Sequence, residues 1–561
     1  MKRIFSKDLE PKLLSVLREG YSLQDFWRDA LAGMVVGVVA LPLAIAFAIA
    51  SGLRPEQGLY TAIVGGFAIS FFGGSRVQIG GPTAAFVVLV ASVVAEFGYG
   101  GLAVATFMAG CFLVIMAFAR LGDVIRFIPY PVTVGFTTGI ALTIAMSQVG
   151  EALGLQIESL PTDFVGRSLA YAENFGATNL TAVFIFLLTV AIIQIWPRVP
   201  SRIPGPLVAL VVTTAIVQLA GLDIATIHSR FGDVPQSLPT LQLSRFDWKL
   251  LPDLVSPALT IALLAAIESL LSAVVADGLI GGRHRSNAEL FGQGLANILS
   301  PLFGGMPATG AIARTATNVR NGGRTPIAGI VHAATLLLIV LVAGSWASLI
   351  PMAALAGILI VVAYNMSEWH VFQRLLRGPA SDALVLVTTF LLTIIFDLSV
   401  AIQVGVVLAA LLFMRRMAEV TQVKALRDIT DYEDSELRDA YPTPVPAGVG
   451  VFQINGSFCF GAATKFTETL LTTQSSPPVV ILRMRHVLAI DATGLHALEE
   501  VAARFQGRGT VLLLSGVSTH VQDAMDKNGA LKLVGKEHIF ANFPLAVEHA
   551  QLLLAAKTQP D

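Results

Sequence analysis

Two short stretches carry residues able to hold an anion without a free cationic side chain. Gly80-Gly81-Pro82-Thr83-Ala84-Ala85-Phe86 and Gly304-Gly305-Met306-Pro307-Ala308-Thr309-Gly310-Ala311 each open a short apolar run, and each follows Phe-Gly-Gly, at 72–74 and 303–305. Glycine permits close backbone approach and proline suits a first helical turn. A helix that begins inside apolar surroundings offers free N–H groups and the positive end of its dipole. Two such ends facing each other would favour an anion. A single stretch of this kind reads equally as a tight turn or a close helix crossing. A matched pair points to a binding site between broken helices.

Charged residues in apolar runs need a reason. Glu268 lies mid-way along the run that includes Ala265-Ala266-Ile267-Glu268-Ser269-Leu270-Leu271-Ser272. An acid at the middle of a membrane helix costs about 2.5–3.5 kcal/mol on insertion scales. Ser272 falls one turn on, on the same face. The pair reads as a proton or cation site, against the alternative of a hydrogen bond to a neighbouring helix. Arg314, one turn past the second glycine break, either adds positive potential there or snorkels or pairs structurally. Asp29, Asp277 and Asp397 lie near predicted helix ends and read as caps or solvent-facing groups, Phe47 reads as packing near the Pro42 kink, and His332 reads as packing or a local hydrogen bond.

The elements that must position these residues follow from composition. Of 561 residues 54% are apolar and 13% charged, with mean hydropathy +0.72. A soluble domain carries about 25% charged residues, so lipid is the solvent for much of the chain. Apolar runs fall near 28–51, 57–73, 83–96, 100–119, 128–150, 179–196, 204–221, 254–277, 287–303, 309–319, 325–346, 350–364, 382–396 and 398–414. Each glycine break opens the third run of a seven-run half, so the halves face opposite ways.

Counted from a cytoplasmic N-terminus, each inside loop carries an arginine pair, as at Arg120 and Arg126, Arg283 and Arg285, and Arg415 and Arg416. This is the positive-inside pattern, and it puts both termini in the cytoplasm. The polar start, with Lys2, Arg3, Lys7, Lys12 and Arg18, lacks a signal-peptide core, so the first helix reads as an uncleaved anchor. A net charge of −1 argues against nucleic acid as a partner. Cys111 and Cys459 lie far apart and imply neither a disulfide framework nor a metal site. No nucleophile–base pair, metal cluster or phosphate loop supports an enzyme, and no catalytic residue or cofactor is expected.

The division is 1–27, an N-terminal segment; 28–416, an all-α polytopic membrane domain; 417–448, a charged linker with Asp428, Asp431, Glu433, Asp434, Glu436 and Asp439; and 449–557, a small α/β domain. Strands are expected at 449–454, 479–484 and 510–515, and helices near 493–504 and 544–555.

Pro55-Glu56-Gln57-Gly58-Leu59-Tyr60-Thr61, Gly73-Gly74-Ser75-Arg76 and the first break resemble the signature of the SulP sulfate-permease family. Asn287-Ala288-Glu289-Leu290, Gln293-Gly294-Leu295-Ala296-Asn297, Ala311-Ile312-Ala313-Arg314-Thr315 and Asn318-Val319-Arg320 extend the match through the second half. Within the family the chain looks closest to bacterial proton-coupled C4-dicarboxylate transporters of the DauA type, and it is also similar to cyanobacterial bicarbonate transporters. The resemblance implies fourteen spans in a seven-plus-seven inverted repeat, as in uracil permease, in a homodimer of a bacterial inner membrane. A core domain would move against a gate domain, like an elevator. Anion contacts would fall on Phe47, Thr83 and the backbone at Gly310, Ala311 and Ile312, with Arg314 adding potential, and ion coupling on Glu268 with Ser272. The bicarbonate branch has Asp and Thr at the coupling positions and holds sodium there, so Glu268 leans toward protons. Eukaryotic sulfate carriers often have Pro-Gln where this chain has Pro42-Leu43, which weakens a direct sulfate assignment.

Ile490-Asp491-Ala492-Thr493-Gly494-Leu495 resembles the phosphorylatable loop of STAS domains, a site for a cytoplasmic partner, with Thr493 at the phospho-acceptor position; from the residues alone it is a helix cap. Proton-coupled symport of a small anion, a C4-dicarboxylate, sulfate or bicarbonate, is the expected activity. Sodium-coupled bicarbonate transport, uncoupled exchange, a channel and a non-transporting sensor are the alternatives.

Overall fold

The computed structural model describes residues 8–123, 129–157, 160–161, 163–199, 204–242, 248–396, 398–426, 445–459, 461–471, 477–529 and 534–558. The chain divides into two compact units between Val407 and Leu408.

The first unit opens with amphipathic α1 (Lys12–Glu19), which buries Leu13 and Val16 and leaves Leu14 and Leu17 exposed. Next, α2 (Leu23–Ala50) begins five residues before the predicted apolar run, because a capping box starts it: the Ser22 hydroxyl accepts from the Asp25 amide at 3.1 Å, and the Asp25 carboxylate accepts from the Ser22 amide at 3.3 Å. Then α3 (Pro55–Tyr60), a π turn (Thr61–Gly65) and α4 (Gly66–Phe72) form one interrupted helix. The strand β1 (Gly80–Gly81) leads through a 3₁₀ turn (Ala84–Phe86) into α5 (Val87–Phe118). Two predicted runs share α5, separated by non-helical backbone at Gly98 (φ 65°). The helices α6 (Tyr130–Leu153), α7 (Phe164–Glu173), α8 (Leu180–Ile195), α9 (Gly205–Ala220) and α10 (Ile227–Phe231) follow.

The second half runs α11 (Val255–Ile280), α12 (Ser286–Leu302), β2 (Thr309–Gly310), α13 (Ile312–Arg320), α14 (Ile327–Ala347), α15 (Met352–Met366), α16 (Trp369–Leu376), α17 (Ala380–Ile395) and α18 (Leu398–Val420). Every apolar run named above falls, among the described residues, largely on helical elements, with 309–319 opening on β2. Among the described residues, seven helices are long and apolar enough to cross a membrane. Short helices α1, α7, α10 and α16 escape a search for apolar runs of about 20 residues.

Close helix crossings depend on small residues. A Cβ on Gly110 of α5 would stand 2.7 Å from the Gly294 carbonyl oxygen of α12, and one on Gly294 would stand 2.9 Å from the Gly110 oxygen. Asp29 corrects its sequence reading. It is buried within α2, where its carboxylate accepts from the amides of Arg324 (2.7 Å) and Thr325 (3.2 Å) and from the hydroxyls of Thr325 and Tyr21. An acid expected at a wet helix end instead clasps the loop before α14. Burial, then the Asp29 charge, push the Tyr21 phenol well above its ordinary range. Asp277 accepts from the His284 amide (2.8 Å) and ring Nδ1 (2.7 Å), and Asp397 lies outside the described residues.

The second unit holds a five-stranded sheet in the order β3 (Gln422–Leu426), β4 (Val449–Phe458), β5 (Val479–Ile490), β6 (Val511–Ser515) and β7 (Ile539–Phe540). The β3–β4 pair is antiparallel and the others are parallel. Helices Gly461–Leu471, Ala492–Gly507, Thr519–Asn528 and Phe543–Thr558 accompany it. Phe458 and Phe466 meet edge to face, centroids 4.9 Å apart, within the core. The expected linker 417–448 needs correcting at its start. There α18 continues to Val420 and 422–426 pairs as β3, because Val423 alternates with polar neighbours and packs on the core. The acidic residues Asp428 to Asp439 lie outside the described residues.

Candidate functional site

The two glycine breaks meet. Gly80 pairs with Gly310 and Gly81 with Thr309 in a two-residue antiparallel ladder, joined also by the Ala311 amide donating to the Ile79 carbonyl at 2.8 Å. Each break is followed at once by a helix start. Thr83 precedes the 3₁₀ turn into α5, Ala311 precedes α13, and neither start has a side-chain cap. Both therefore keep first-turn N–H groups available as donors. The antiparallel strand pair brings two positive dipole ends to one place.

Side chains from both halves hold the second break, and side chains from the second half hold the first. The Thr61 hydroxyl, on the π turn, accepts from the Met306 amide at 2.7 Å, and Ser300 donates to the Met306 carbonyl at 2.6 Å. Asn297 closes a ring with one residue: its Nδ2 donates to the Ala308 carbonyl (2.7 Å) and its Oδ1 accepts from the Ala308 amide (2.9 Å). On the other break, Asn318 donates to the Val77 carbonyl (2.8 Å) and Thr315 accepts from the Ile79 amide (3.1 Å). Glu289, fully buried, accepts from the amides of Gly74 (2.9 Å) and Ser75 (3.1 Å) and from Gln293 (2.8 Å), and so fixes the loop entering the first break. Asn297→Ala would leave two buried backbone groups unpaired, at about 1–3 kcal/mol each. A clear fall in the melting temperature of the purified protein is the expected result.

The site residues named from sequence fall as follows. Thr83 is buried and its hydroxyl has no partner among the described residues. Phe47 is 4% exposed on α2, in the core cluster that also holds Ala84 to Phe86. The Gly310 backbone belongs to the ladder, the Ala311 amide is spent on Ile79, and Ile312, at the first position of α13, is 38% exposed. Arg314 does not snorkel. It is 3% exposed, its Nη2 donates to the Pro82 carbonyl at 2.9 Å, and its Nη1 has no partner among the described residues. The guanidinium thus bridges from the second half to the first break. Gly81 (φ +148°) leaves it room, since a Cβ there would lie 2.6 Å from Nη1.

Glu268 is half-buried on α11, without a hydrogen-bond partner among the described residues. One turn to either side, α11 touches the second break: the Ala265 carbonyl accepts from Thr309 at 3.0 Å, and the Ser272 and Thr315 hydroxyls stand 3.4 Å apart. The Ser272 hydroxyl thus lies against α13.

Sequence reasoning missed Gln78 as a site residue. Its buried amide has no partner among the described residues and abuts Gly310 so closely that a Cβ there would come within 1.7 Å of Nε2. Nothing in Gln78 alone signals this, since only the ladder brings residues 78 and 310 together. His332 is fully buried on α14. In the second unit, Asp491 caps the helix at Ala492, accepting from the Gly494 amide at 2.8 Å, and Thr493 is exposed in its first turn.

A helical membrane body built around two broken helices, their open N-termini brought together, defines a transporter whose site suits an anion. The chain belongs to the sulfate permease family, which residues 26–389 match, and residues 440–546 match the STAS domain. It is 39% identical to the Bacillus subtilis protein named "Putative sulfate transporter YvdB" over 93% of this chain and 97% of that one. It is 32% identical to the bicarbonate transporter BicA of Synechocystis, over 95% of this chain and 96% of that one. The fold matches murine Solute Carrier 26 family member A9, an anion transporter seen in the inward-facing state, with a TM-score of 0.86 at 20% identity over 98% of this chain and 96% of that one.

Proposed function

We propose that this transporter carries a small anion, a C4-dicarboxylate, sulfate or bicarbonate, together with protons. The observation that carries the reading is the ladder that joins two uncapped helix starts. The first-turn amides of both helices, the Thr83 hydroxyl and the Arg314 guanidinium form the anion-attracting surface, and Phe47 walls it. Glu268, between two tethers to the second break, carries the proton. An ionisable group tied to the moving site couples the two ligands when each changes the affinity for the other. The elements that hold the breaks form the core and move as one body against the gate, in an elevator-like step. The membrane domain crosses the bacterial inner membrane fourteen times in two inverted halves, with both termini in the cytoplasm and the chain in a homodimer. The STAS domain takes a cytoplasmic partner, and Thr493 is its phosphorylation position.

Relatives named for sulfate and for bicarbonate support the anion class without choosing between anions. Backbone dipoles attract negative charge and do not encode which anion carries it. The test is uptake by purified protein in liposomes of fumarate, succinate, sulfate and bicarbonate, with and without an inward proton gradient. Accumulation of at least one anion only with the gradient is expected. Equal flux in both conditions would overturn coupling and leave an exchanger or channel, and a sodium requirement would move the chain to the sodium-coupled reading.

A further inference from the structure

A second cluster of basic residues lines a cavity that none of the break residues enters. Between α1, the turn after α5 and the turn between α11 and α12 is a cavity of about 560 Å³. Lys12, Arg120, Arg283 and Arg285 line it, against the carboxylates of Asp8 and Asp123. Lys12 donates to the Arg283 carbonyl at 2.9 Å, and Arg285 donates to the Glu10 carbonyl (2.8 Å) and Ser15 (2.9 Å) and pairs with Glu10 at 3.3 Å. His284 is taken by Asp277, and Arg120 stands 4.0 Å from Asp8. The Arg283 guanidinium is exposed and has no partner among the described residues.

Two further features face the same space. Helix α12, 17 residues long, starts here at Ser286 with no side-chain cap, so its dipole and first amides point to this end, with the buried carboxylate of Glu289 in the first turn turned to the Gly74 and Ser75 amides. The opposite wall is apolar: buried Leu270 and exposed Val274 of α11 line the cavity, and Leu271, Val275 and Leu279 are exposed beside Val274 on that helix. Burial, then the nearby Arg285 and Arg76 charges, hold the Lys12 ammonium below its ordinary range, with Asp277 and Glu19 acting in the opposite direction.

We propose that this cavity binds the phosphate headgroup of an anionic phospholipid, with the arginines and the α12 start on the phosphate and an acyl chain along Leu270 and Val274. A soluble phosphate would satisfy the cations but leave the apolar wall uncovered. None of the break residues, 77–86 and 304–315, lines the cavity, so it is distinct from the anion site proposed above.

The test is native mass spectrometry of the full-length protein with dioleoyl phosphatidylglycerol, dioleoyl phosphatidylcholine, dihexanoyl phosphatidylglycerol or inorganic phosphate. Preferential retention of the long-chain anionic lipid is expected. Each arginine near an anionic headgroup contributes about 1 kcal/mol, so the double variant Arg120→Gln/Arg283→Gln should bind it roughly 30-fold more weakly. Arg120→Lys/Arg283→Lys should retain it. Arg283→Gln alone, about fivefold weaker, serves if the double variant aggregates. Equal retention of both long-chain lipids, or unchanged binding by the glutamine variants, would overturn the site. Displacement of the lipid by inorganic phosphate or by the short-chain lipid at equal concentration would overturn the lipid assignment and leave a soluble phosphate site.

Discussion

Glu268→Gln is expected to abolish gradient-driven accumulation while anion binding survives. Glutamine keeps the size and hydrogen-bonding shape of the acid but cannot change charge. The contacts that hold the second break, from the Ala265 carbonyl and the Ser272 hydroxyl, do not involve the carboxylate, so the ladder should stay intact. Coupling between ligands typically amounts to 1–3 kcal/mol, roughly 5–150-fold in affinity, and that factor should vanish from the ratio of uptake with and without a proton gradient. Binding of the same anion, read by thermal shift, should change little. Unchanged uptake would return Glu268 to a structural role. Loss of both uptake and binding would place it in the anion site itself.

Gly310→Val should remove anion binding by a different route. The first carbon of the new side chain would stand 1.7 Å from Gln78 Nε2, so either Gln78 or the ladder must give way. Overpacking of this kind typically costs about 1–3 kcal/mol. The second break cannot retreat freely, because Thr61, Ser300 and Asn297 hold Met306 and Ala308. The double variant Gly310→Val/Gln78→Ala separates the causes. Recovery of affinity would identify the clash with Gln78 as the damage, since contacting residues are those whose effects fail to add. No recovery would mean that the ladder itself rejects a side chain at 310. Unchanged affinity in Gly310→Val alone would move the anion site away from the breaks.

Much of the fold was legible because a bilayer allows few solutions. Backbone groups in lipid must be satisfied internally, so long apolar runs declare helices, and the apolar runs of this chain fall largely on helical elements among the described residues. The two breaks were legible for the same reason, since glycine and proline punctuate apolar runs only where the surroundings repair the lost hydrogen bonds. The small elements were not legible. The strand β3 carries only five residues, and α16, Trp369–Leu376, is too short to stand out by periodicity. Asp29 and Arg314 show the limit for single residues. One was expected at a wet end and the other was left between site and surface, yet both are buried, because their partners lie 295 and 232 residues away in the chain.

The two helix starts, their glycine entries, and an acid in a membrane run follow from residue type and local spacing. Those are properties of neighbours in the chain. That the two starts meet, that Arg314 reaches across to Pro82, and that Gln78 lies against Gly310 depend on pairings between residues more than 200 apart. No local pattern encodes such pairings. The packing of the two halves decides them, because the ladder and the Arg314–Pro82 bond satisfy backbone groups of one half with partners from the other.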